Sequence, residues 1–291
     1  MIAGIDLGGS QVRVAVAQAD GRILATMRTR TPLLRTPERV AAWAAEQVTA
    51  LAGGEPVAVV AIGAPGPIDP GRGTLVNPPN LPRWRNVPIA RLLGDRLGCP
   101  VHLENDANLA ALGEFEQGAG RGVRTMVYVT WSTGVGAGLV LDGELFSGAH
   151  GSAGEVGHMI LDVDGPLDAC GQRGCVEALC SGRALEAQTG TPAKVIFERA
   201  AAGDGAAAAV VLRATTSMGQ ALISLANLVD PELIVVGGGI SRSWRQVRPV
   251  LEQVLRSSPF IRPQRRPRIR RARLGDRAGQ VGAVEWARRR L

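Results

Sequence analysis

The feature that most constrains the fold is a strand pattern that occurs twice in the chain. Residues 3–25 (AGIDLGGSQVRVAVAQADGRILA) give a strand, a Gly-Gly turn, a second strand, an Asp-Gly turn and a third strand. Residues 125–147 (TMVYVTWSTGVGAGLVLDGELFS) repeat this order. The period-two alternation of VRVAVA indicates a strand, and Asp-Gly favours a hairpin turn. Because an internal repeat indicates duplicated structural units, the pattern predicts two similar α/β domains.

The domain boundary is predicted near residues 118–124 (GAGRGVR), which separate the two copies. We expect an N-terminal α/β domain over residues 1–118 and a C-terminal α/β domain over residues 119–278. A last helix near 279–291 is expected to return to the first domain. A chain of 291 residues that is 45% apolar is long enough to give each domain its own core.

Composition argues against a membrane or secreted protein. The longest apolar runs, such as LIVVGGGI, fall well short of the roughly 18 residues that a membrane-spanning helix needs. The start, MIAGIDLGG, has no basic region and no long apolar stretch, so we expect no signal peptide and a cytoplasmic protein. In that compartment the four cysteines favour thiols or metal ligands over disulfides.

The net charge of +7 raises the question of a nucleic-acid partner. Lys194 is the only lysine among 33 basic residues, a bias that codon composition explains as well as phosphate binding does. The one dense cluster, residues 261–273 (IRPQRRPRIRRAR), alternates partly with Ile, Pro and Ala, which is typical of a solvated strand edge. We therefore expect no nucleic-acid partner.

Small-residue turns after strands are candidate phosphate sites, because their backbone N–H groups can surround phosphate oxygens. Residues 8–10 and 132–134 form one such turn in each repeat, and the glycines at 237–239 follow a later strand. The alternative is that these are plain turns. A Walker A motif is excluded, because it needs Gly-Lys and the only lysine follows Ala193.

Two acidic positions at strand ends allow either a structural or a chemical role. Asp6 ends the first strand, where its carboxylate is a candidate for Mg²⁺ beside the phosphates or a simple turn cap. Asn105 and Asp106 lie between a strand and an Ala/Leu-rich helix. Both residue types are common N-caps, so the local pattern does not decide between two caps and one cap with one catalyst.

The densest polar cluster lies in residues 151–182 (GSAGEVGHMILDVDGPLDACGQRGCVEALCSG). Gly154 precedes Glu155 and Gly157 precedes His158, which predicts a backbone that comes close to a ligand. His158, Cys170 and Cys175 together suit tetrahedral Zn²⁺. The alternative is that the cysteines are free and buried.

Taken in order, these stretches resemble the ROK family of bacterial sugar kinases and sugar-sensing repressors. The resemblance covers nearly the whole chain and rests on GIDLGGS, GAPGPID, NPPNLPRW, LENDANLAALGE, STGVGAGLVLDG, GSAGEVGHM, CGQRGCVEALCSG and DPELIVVGGGIS. It implies an actin-like ATPase (ribonuclease H-like) fold, in which two similar α/β domains surround a cleft that holds sugar and ATP.

The resemblance implies a role for each matching residue. Asp106 matches the catalytic base, which accepts the proton of the attacking sugar hydroxyl. The positions that match sugar-binding residues are Gly66, Asn80, Asn105, Glu155, His158 and Glu177. The positions that match the phosphate turns are Gly8, Gly9, Ser10, Thr133 and Gly134, while Gly237 and Gly238 match the adenosine side.

The chain departs from the family pattern in three places. Ser10-Gln11 stands where Thr-Lys is usual, which keeps the hydroxyl and removes a cation. Asp168 stands at a usual zinc-binding cysteine, which leaves His158, Asp168, Cys170 and Cys175 as the predicted structural zinc site. Cys180 is a less favoured substitute ligand. Trp131, before the second phosphate turn, is interpreted as a packing residue.

The resemblance predicts an ATP- and Mg²⁺-dependent kinase of carbohydrate metabolism that phosphorylates a hexose at its 6-hydroxyl, with glucose favoured and a homodimer expected. N-acetylmannosamine, N-acetylglucosamine, fructose, mannose and allose remain alternative substrates, and polyphosphate an alternative donor. A non-catalytic sugar-sensing relative is less favoured because Asp6, Asp106 and both phosphate turns are present. A repressor is disfavoured because the first strand begins at residue 2, which leads us to expect no DNA-binding module.

Overall fold

A computed structural model describes residues 1–291, which contain twelve strands and ten α-helices. The strands are β1 (Ile2–Leu7), β2 (Gln11–Ala17), β3 (Ile23–Arg30), β4 (Val59–Ala64), β5 (Ile68–Asp69), β6 (Thr74–Leu75), β7 (Val101–Asn105), β8 (Met126–Trp131), β9 (Val135–Leu141), β10 (Glu144–Phe146), β11 (Leu233–Gly237) and β12 (Arg268–Arg271). The helices are α1 (Thr31–Leu34), α2 (Pro37–Ala52), α3 (Ile89–Leu97), α4 (Asp106–Gln117), α5 (Val176–Cys180), α6 (Gly182–Thr189), α7 (Ala193–Ala201), α8 (Gly205–Val229), α9 (Trp244–Ser257) and α10 (Ala278–Arg288).

The chain divides into two compact units. The first comprises Met1–Gly118, Leu145–Ala153 and Asp276–Leu291, and the second comprises Ala119–Glu144 and Gly154–Gly275. The nine residues of Leu145–Ala153 thus group with the first unit. The simpler division at residues 118/119 and 278/279 stays a prediction.

The two units contain five-stranded sheets with the same topology. The strand order is β3-β2-β1-β4-β7 in the first and β10-β9-β8-β11-β12 in the second. In each sheet the first hairpin strands pair antiparallel, and the later strands join parallel, as β1 with β4 and β8 with β11. This equivalence confirms the internal repeat that the sequence predicts.

The core of the first unit lies on both faces of its sheet, which is why β1 and β4 are apolar along almost their whole length. On one face, Val40, Ala44 and Val48 of α2 pack against β1 and β2. On the other, Val284 and Ala287 of α10 pack against Ile2 and its neighbours. α10 also packs along α4. The C-terminal helix therefore contributes to the same core as the N-terminal strands.

The core of the second unit is built largely from the long helix α8, β8 and β11. Ten residues of α8 are buried, among them Met218 and Leu222, and they pack with Val129 and Val236 of the sheet. By length and composition alone, α8 is long and apolar enough to cross a membrane. A buried core helix passes the same test, so this single helix is weak support for a membrane span.

Candidate active site

The first predicted phosphate turn, residues 8–10, connects β1 to β2 in the first unit. The Gly8 N–H donates to the Gln11 carbonyl at 2.8 Å, and the Thr31 N–H and hydroxyl donate to the carbonyls of Ser10 and Gly8 at 3.0 and 2.7 Å. The two Thr31 bonds use carbonyl groups of the turn as acceptors, whereas the first bond uses the Gly8 N–H as its donor. They fix the backbone conformation of the turn from both sides.

Gly9 lies directly against Asn80, so the structure brings together two residues that the sequence predicts for different ligands. A Cβ atom at position 9 would lie 2.5 Å from the Asn80 carbonyl oxygen, a distance that real Cβ contacts do not reach. The close approach therefore requires glycine. Any larger residue would displace Asn80 or the turn.

Asp6 forms an ion pair at the end of β1. Arg13 Nη1 lies 2.9 Å from Asp6 Oδ2, and the Asp6 side chain is 13% exposed. Burial raises the pKa of the Asp6 carboxyl, and Arg13 opposes that effect. A Mg²⁺ role for Asp6 stays a prediction, and any such ion would share this carboxylate with a guanidinium group.

Asn105 and Asp106 have separate structural roles at the junction of β7 and α4. The Asn105 side-chain oxygen accepts hydrogen bonds from the N–H groups of Ala107 and Asn108 at 2.8 and 3.3 Å, so Asn105 is the N-cap. Asp106 is the first residue of the helix, and its half-buried carboxylate lies where the helix dipole favours negative charge. The side-chain amide N–H groups of Asn105 remain as donors for a ligand.

Gly66 follows the neighbouring strand at the same edge of the sheet. β4 runs parallel to β7 with Ala64 opposite Asn105, and Gly66 comes two residues after that strand ends. Because parallel strands end at one edge, the Gly66 and Asn105 segments leave the sheet side by side. The first unit thus groups Gly66 with Asn105 and Asp106.

The second predicted phosphate turn, residues 132–134, connects β8 to β9 in the second unit. Glu177 Oε2 accepts a hydrogen bond from the Val135 N–H at 2.7 Å, and a Cβ at Gly134 would lie 2.4 Å from the same oxygen. The N–H groups of Gly182 and Arg183 donate to the carbonyls of Ser132 and Thr133. Glu177, predicted as a sugar ligand, therefore holds this turn in the structure.

The glycines around Glu155 allow a close backbone contact within the protein. Cβ atoms at Gly154 and Gly157 would lie 2.6 and 2.2 Å from the carbonyl oxygens of Ala137 and Val135 on β9. The sequence predicted that these glycines admit a ligand, whereas the structure shows that they admit a neighbouring strand. The two contacts with β9 fix the backbone between Gly154 and Gly157. The exposed side chain of Glu155 extends from this segment.

Four side chains converge as a candidate metal centre in the second unit. The ligand atoms of His158, Asp168, Cys170 and Cys175 all lie within 4.8 Å of one another. The Cys170 and Cys175 sulfurs are 3.7 Å apart, and His158 Nδ1 is 3.4 Å from Asp168 Oδ2. Zinc bond lengths in a tetrahedron require separations of about 3.8 Å between two sulfurs and about 3.3 Å between nitrogen and oxygen. The donor types and both distances fit Zn²⁺.

The ionisation of these side chains differs between the carboxyl and thiol groups. Burial opposes ionisation of Asp168, but hydrogen bonds from Cys170 and the nearby His158 lower its pKa overall. Burial, together with Cys170, raises the pKa of the Cys175 thiol to about 11. Metal binding at this centre would therefore release a proton from Cys175 at neutral pH.

Cys180 and Trp131 belong to the core and not to the metal centre. Cys180 is fully buried, its Sγ lies 3.1 Å from the Val176 carbonyl oxygen, and burial raises its pKa. Trp131 is also fully buried, and its indole N–H donates to the Cys180 carbonyl at 2.7 Å. The interpretation of Trp131 as a packing residue is confirmed.

A cavity of about 400 Å³ adjoins the second turn. Thr133 and Gly239 line it, and so do side chains of three helical segments, namely Arg183, Glu186, Lys194, Phe197, Glu198, Arg242 and Ser243. Gly237 and Gly238 instead pack against β8, where Cβ atoms would lie 2.3 Å from Tyr128 Oη and 2.4 Å from the Trp131 carbonyl oxygen.

Sequence reasoning missed the helical residues of this cavity. They come from α6, α7 and the segment after β11, which lie apart in sequence and meet only through tertiary packing. No local motif marks them. Lys194, the only lysine, is a compositional signal, but by itself it indicates no ligand.

Comparison with known proteins places the chain in a family. The model of the ROK family matches residues 2–290. A glucokinase of Streptomyces coelicolor is 35% identical over 98% of this chain and 96% of its own length, and an N-acetylmannosamine kinase of Escherichia coli O157:H7 is 35% identical over 81% and 82%.

A solved structure extends the similarity to three dimensions. The ROK family glucokinase from Streptomyces griseus, in complex with glucose and AMPPNP, superposes with a TM-score of 0.81 at 34% identity, over 99% of both chains. The predicted actin-like ATPase fold class is thereby confirmed. The match of the family model over almost every residue, together with these similarities, shows that the chain belongs to the ROK family.

Proposed function

We propose that this protein is an ATP-dependent hexose kinase that converts glucose to glucose 6-phosphate. One observation carries the proposal: the similarity to glucokinases extends over nearly the whole chain. Asp106, the first residue of α4, is proposed as the base. N-acetylmannosamine is the second candidate substrate, because a kinase for that sugar is also 35% identical to this chain, over 81% of its residues.

In the proposed reaction Asp106 accepts the proton of the sugar 6-hydroxyl as the hydroxyl oxygen attacks the γ-phosphorus atom of ATP. The bond between that phosphorus and the β–γ bridging oxygen breaks, and ADP leaves. Phosphoryl transfer depends mainly on positioning and charge neutralisation, and a base one hydrogen bond from the nucleophile meets that need. Asn105 donates from its side-chain amide to a sugar hydroxyl, while its oxygen caps α4. Gly66, Asn80, Glu155, His158 and Glu177 are proposed as further sugar-binding positions.

The nucleotide is proposed to bind at the two small-residue turns and the adjoining cavity. Backbone N–H groups of Gly9, Ser10, Thr133 and Gly134 would contact its phosphates, because the Gly8 and Ser132 N–H groups already donate to backbone carbonyls. The cavity bordered by Thr133, Lys194 and Phe197 would receive the adenosine, with Gly237 and Gly238 behind it. Mg²⁺, held with the help of Asp6, would neutralise phosphate charge when bound.

The metal centre is proposed to be structural. His158, Asp168, Cys170 and Cys175 would hold Zn²⁺, which would connect the segment around Glu155 to the segment before Glu177. With one His158 nitrogen on the metal, the other is left for a sugar hydroxyl. A cytoplasmic location, a homodimer and a place in glycolysis accompany the proposal as expectations.

The test is a coupled kinase assay over a panel of hexoses with ATP, on wild-type protein and Asp106→Asn. We expect glucose to give the highest kcat/KM, and the variant to lose at least about 100-fold in kcat. Calorimetry should show that the variant still binds glucose. Asp95→Asn, which changes an exposed carboxylate on α3, is the matched control and should keep wild-type kinetics.

Full kcat in Asp106→Asn would exclude Asp106 as the base. A higher kcat/KM for N-acetylmannosamine than for glucose would replace the substrate. No turnover of any hexose, with ATP or with polyphosphate, would leave a sugar-binding protein without kinase activity.

A further inference from the structure

Glu104, which precedes the proposed site residues, is a buried carboxylate in the first unit that accepts three hydrogen bonds. Its side chain is 2% exposed. Oε1 accepts from the Asn105 N–H at 2.8 Å and from the Asn108 side-chain amide at 2.9 Å, and Oε2 accepts from the Ser147 hydroxyl at 2.9 Å. A buried carboxylate costs free energy unless such donors surround it. Its presence therefore requires an explanation beyond packing.

Two of the three donors belong to the start of α4. Asn105 caps the helix, and Asn108 lies in its first turn with its backbone N–H on the Asn105 side chain. Glu104 therefore accepts hydrogen bonds from two residues of this turn, while the Asn105 side chain accepts from backbone N–H groups inside it. Asp106 is the residue between these bonds, so they restrict the position of the backbone that carries its carboxylate.

The third donor belongs to a closed loop formed by residues 147–153. The Ala153 N–H donates to the Ser147 carbonyl at 3.0 Å, which closes the loop at its base. Gly151 lies against Pro70, because a Cβ at position 151 would be 2.8 Å from the proline ring. The Ser147 hydroxyl attaches this loop to β7 through Glu104. The chain then continues directly to Gly154 and Glu155.

We propose that Glu104 is a positioning residue that holds the turn carrying Asp106 and, through Ser147, the loop that leads to Glu155. It touches neither substrate and acts through its three hydrogen-bond donors. The proposal rests on the proposed function in taking Asp106 as the base and Glu155 as a sugar ligand. It assigns one buried carboxylate to the positioning of two segments of the first unit, the start of α4 and residues 147–153.

Loss of the Glu104 bonds to the start of α4 and loss of the Glu104–Ser147 bond are expected to have different kinetic effects. Glu104→Ala leaves three donors without this acceptor, of which the Asn108 amide is buried, and it frees the turn. A displacement of about 1 Å in a catalytic group costs about 100-fold in rate. We therefore expect kcat to fall by about that factor. Ser147→Ala removes only the loop contact, which lies beside a cavity of about 1030 Å³ from which water can replace the hydroxyl. We expect a glucose KM about fivefold higher with kcat nearly unchanged.

Glu104→Gln is the conservative variant. The glutamine carbonyl can accept from Asn105 and Asn108, and its amide can donate to the Ser147 hydroxyl, which is also an acceptor. We expect this variant to restore kcat to within about threefold of wild type. A loss of kcat as large as that of Glu104→Ala would show that the hydrogen bonds are not what matters and would overturn the proposal.

Glu285→Ala is the matched control for loss of a buried carboxylate. Glu285 in α10 is 4% exposed and accepts hydrogen bonds from Gln117 and Arg288, all in the same unit. We expect both alanine variants to melt at lower temperature, but only Glu104→Ala to lose kcat when assayed below its Tm. Equal kinetics in the two variants would reduce Glu104 to a stabilising residue.

Amide hydrogen exchange tests the same proposal without any turnover. Glu104→Ala should speed exchange at residues 105–108 and 147–153, and Ser147→Ala only at 147–153. If wild-type protein phosphorylates no hexose, the proposed function fails while this pattern still tests the positioning. Unchanged exchange at residues 105–108 in a folded Glu104→Ala would contradict it.

Discussion

At the scale of single residues, the carboxylate at position 168 sets the chemistry of the proposed zinc centre. Asp168 Oδ2 lies 3.4 Å from His158 Nδ1 and also accepts from the Cys170 N–H at 3.2 Å, so the side chain is already oriented toward the ligand set. Carboxylate oxygen is a harder ligand than thiolate, and a site with two thiolates should hold zinc less tightly than one with three.

We predict that a chelator removes zinc from wild-type protein and lowers both its Tm and its affinity for glucose. Asp168→Cys should need about tenfold more chelator to reach the same effect, because a third thiolate binds zinc more strongly. Elemental analysis and thermal melts across a chelator series measure both effects. Cys99→Ser removes a thiol from the first unit and should match wild type. Wild-type protein without zinc as isolated would contradict the prediction.

Gly9 carries a second prediction at this scale, because it is the contact point between the first turn and Asn80. We expect Gly9→Ala to raise the KM values for ATP and sugar by about tenfold, since the added Cβ would overlap the Asn80 carbonyl. Steady-state kinetics with each substrate varied measure the effect.

Gly205→Ala is the control for that substitution. Position 205 is the first residue of α8, where an added Cβ atom would meet no neighbouring atom within 4 Å, so alanine should be accepted without kinetic change. Equal KM values in Gly9→Ala and wild type would mean that the turn does not position the substrates.

At the scale of elements, the start of α8 depends on an ionised cap. Asp204 Oδ1 accepts from the Ala207 N–H at 3.0 Å, and Oδ2 accepts from Arg199 at 2.8 Å. The backbone hydrogen bond of the cap and then Arg199 lower the pKa of Asp204 below its ordinary value of 3.8. A carboxyl group whose pKa is lower in the folded protein stabilises the fold at pH values above its unfolded-state pKa. This stabilisation is lost as the pH falls through the folded-state pKa.

We therefore predict that Asp204→Ala lowers Tm at neutral pH, and that the difference from wild type shrinks as the pH falls below about 3.8. Thermal melts monitored by circular dichroism at a series of pH values measure the difference. Glu46→Ala, an exposed carboxylate within α2, should show no such pH-dependent gap. A Tm difference between wild type and Asp204→Ala that stays constant across the pH series would show that helix propensity, and not the ionised cap, causes the loss of stability.

The elements themselves were largely predictable, because their signals are local. Asp142-Gly143 forms the β9–β10 turn that the sequence predicts, with both residues at positive φ. Asn105 was also recognised as a cap candidate. What local signals cannot give is the partner of a side chain. For Glu177, which the sequence predicts as a sugar ligand, the sequence does not indicate the hydrogen bond that it accepts from the Val135 N–H, because tertiary packing brings α5 to β9.

At the scale of the whole molecule, two equivalent sheets follow from two copies of one sequence pattern, so the fold class was readable from the chain. The site was readable only where a motif marks it. The Glu104–Ser147 hydrogen bond joins residues far apart in sequence, and so does the packing of the helical residues that line the proposed nucleotide cavity. No periodicity or spacing in the sequence predicts such contacts.

The distribution of charge also belongs to this scale. Residues 262–273 contain seven arginines and no carboxylate, which equals the formal net charge of +7, so the remainder of the chain is balanced. Part of this segment is β12, the edge strand of the second sheet, where Arg268, Arg270 and Arg271 are exposed. Charged side chains on an edge strand hinder pairing with other chains. This role explains the cluster without a nucleic-acid partner.

We predict that the protein binds heparin at low salt and elutes by about 0.2 M salt, and that it shifts no DNA at that concentration, because a non-specific contact of a few arginines is salt-sensitive. Replacing Arg262, Arg265 and Arg268 by glutamine should move elution from heparin to lower salt. The control replaces the exposed Arg28, Arg39 and Arg91 by glutamine and should move elution less, although both triple variants lose the same net charge. Equal elution of the two variants would show that net charge alone governs binding. A DNA shift that persists at about 0.2 M would make residues 262–273 a nucleic-acid interface, since only contacts beyond counterion release survive there.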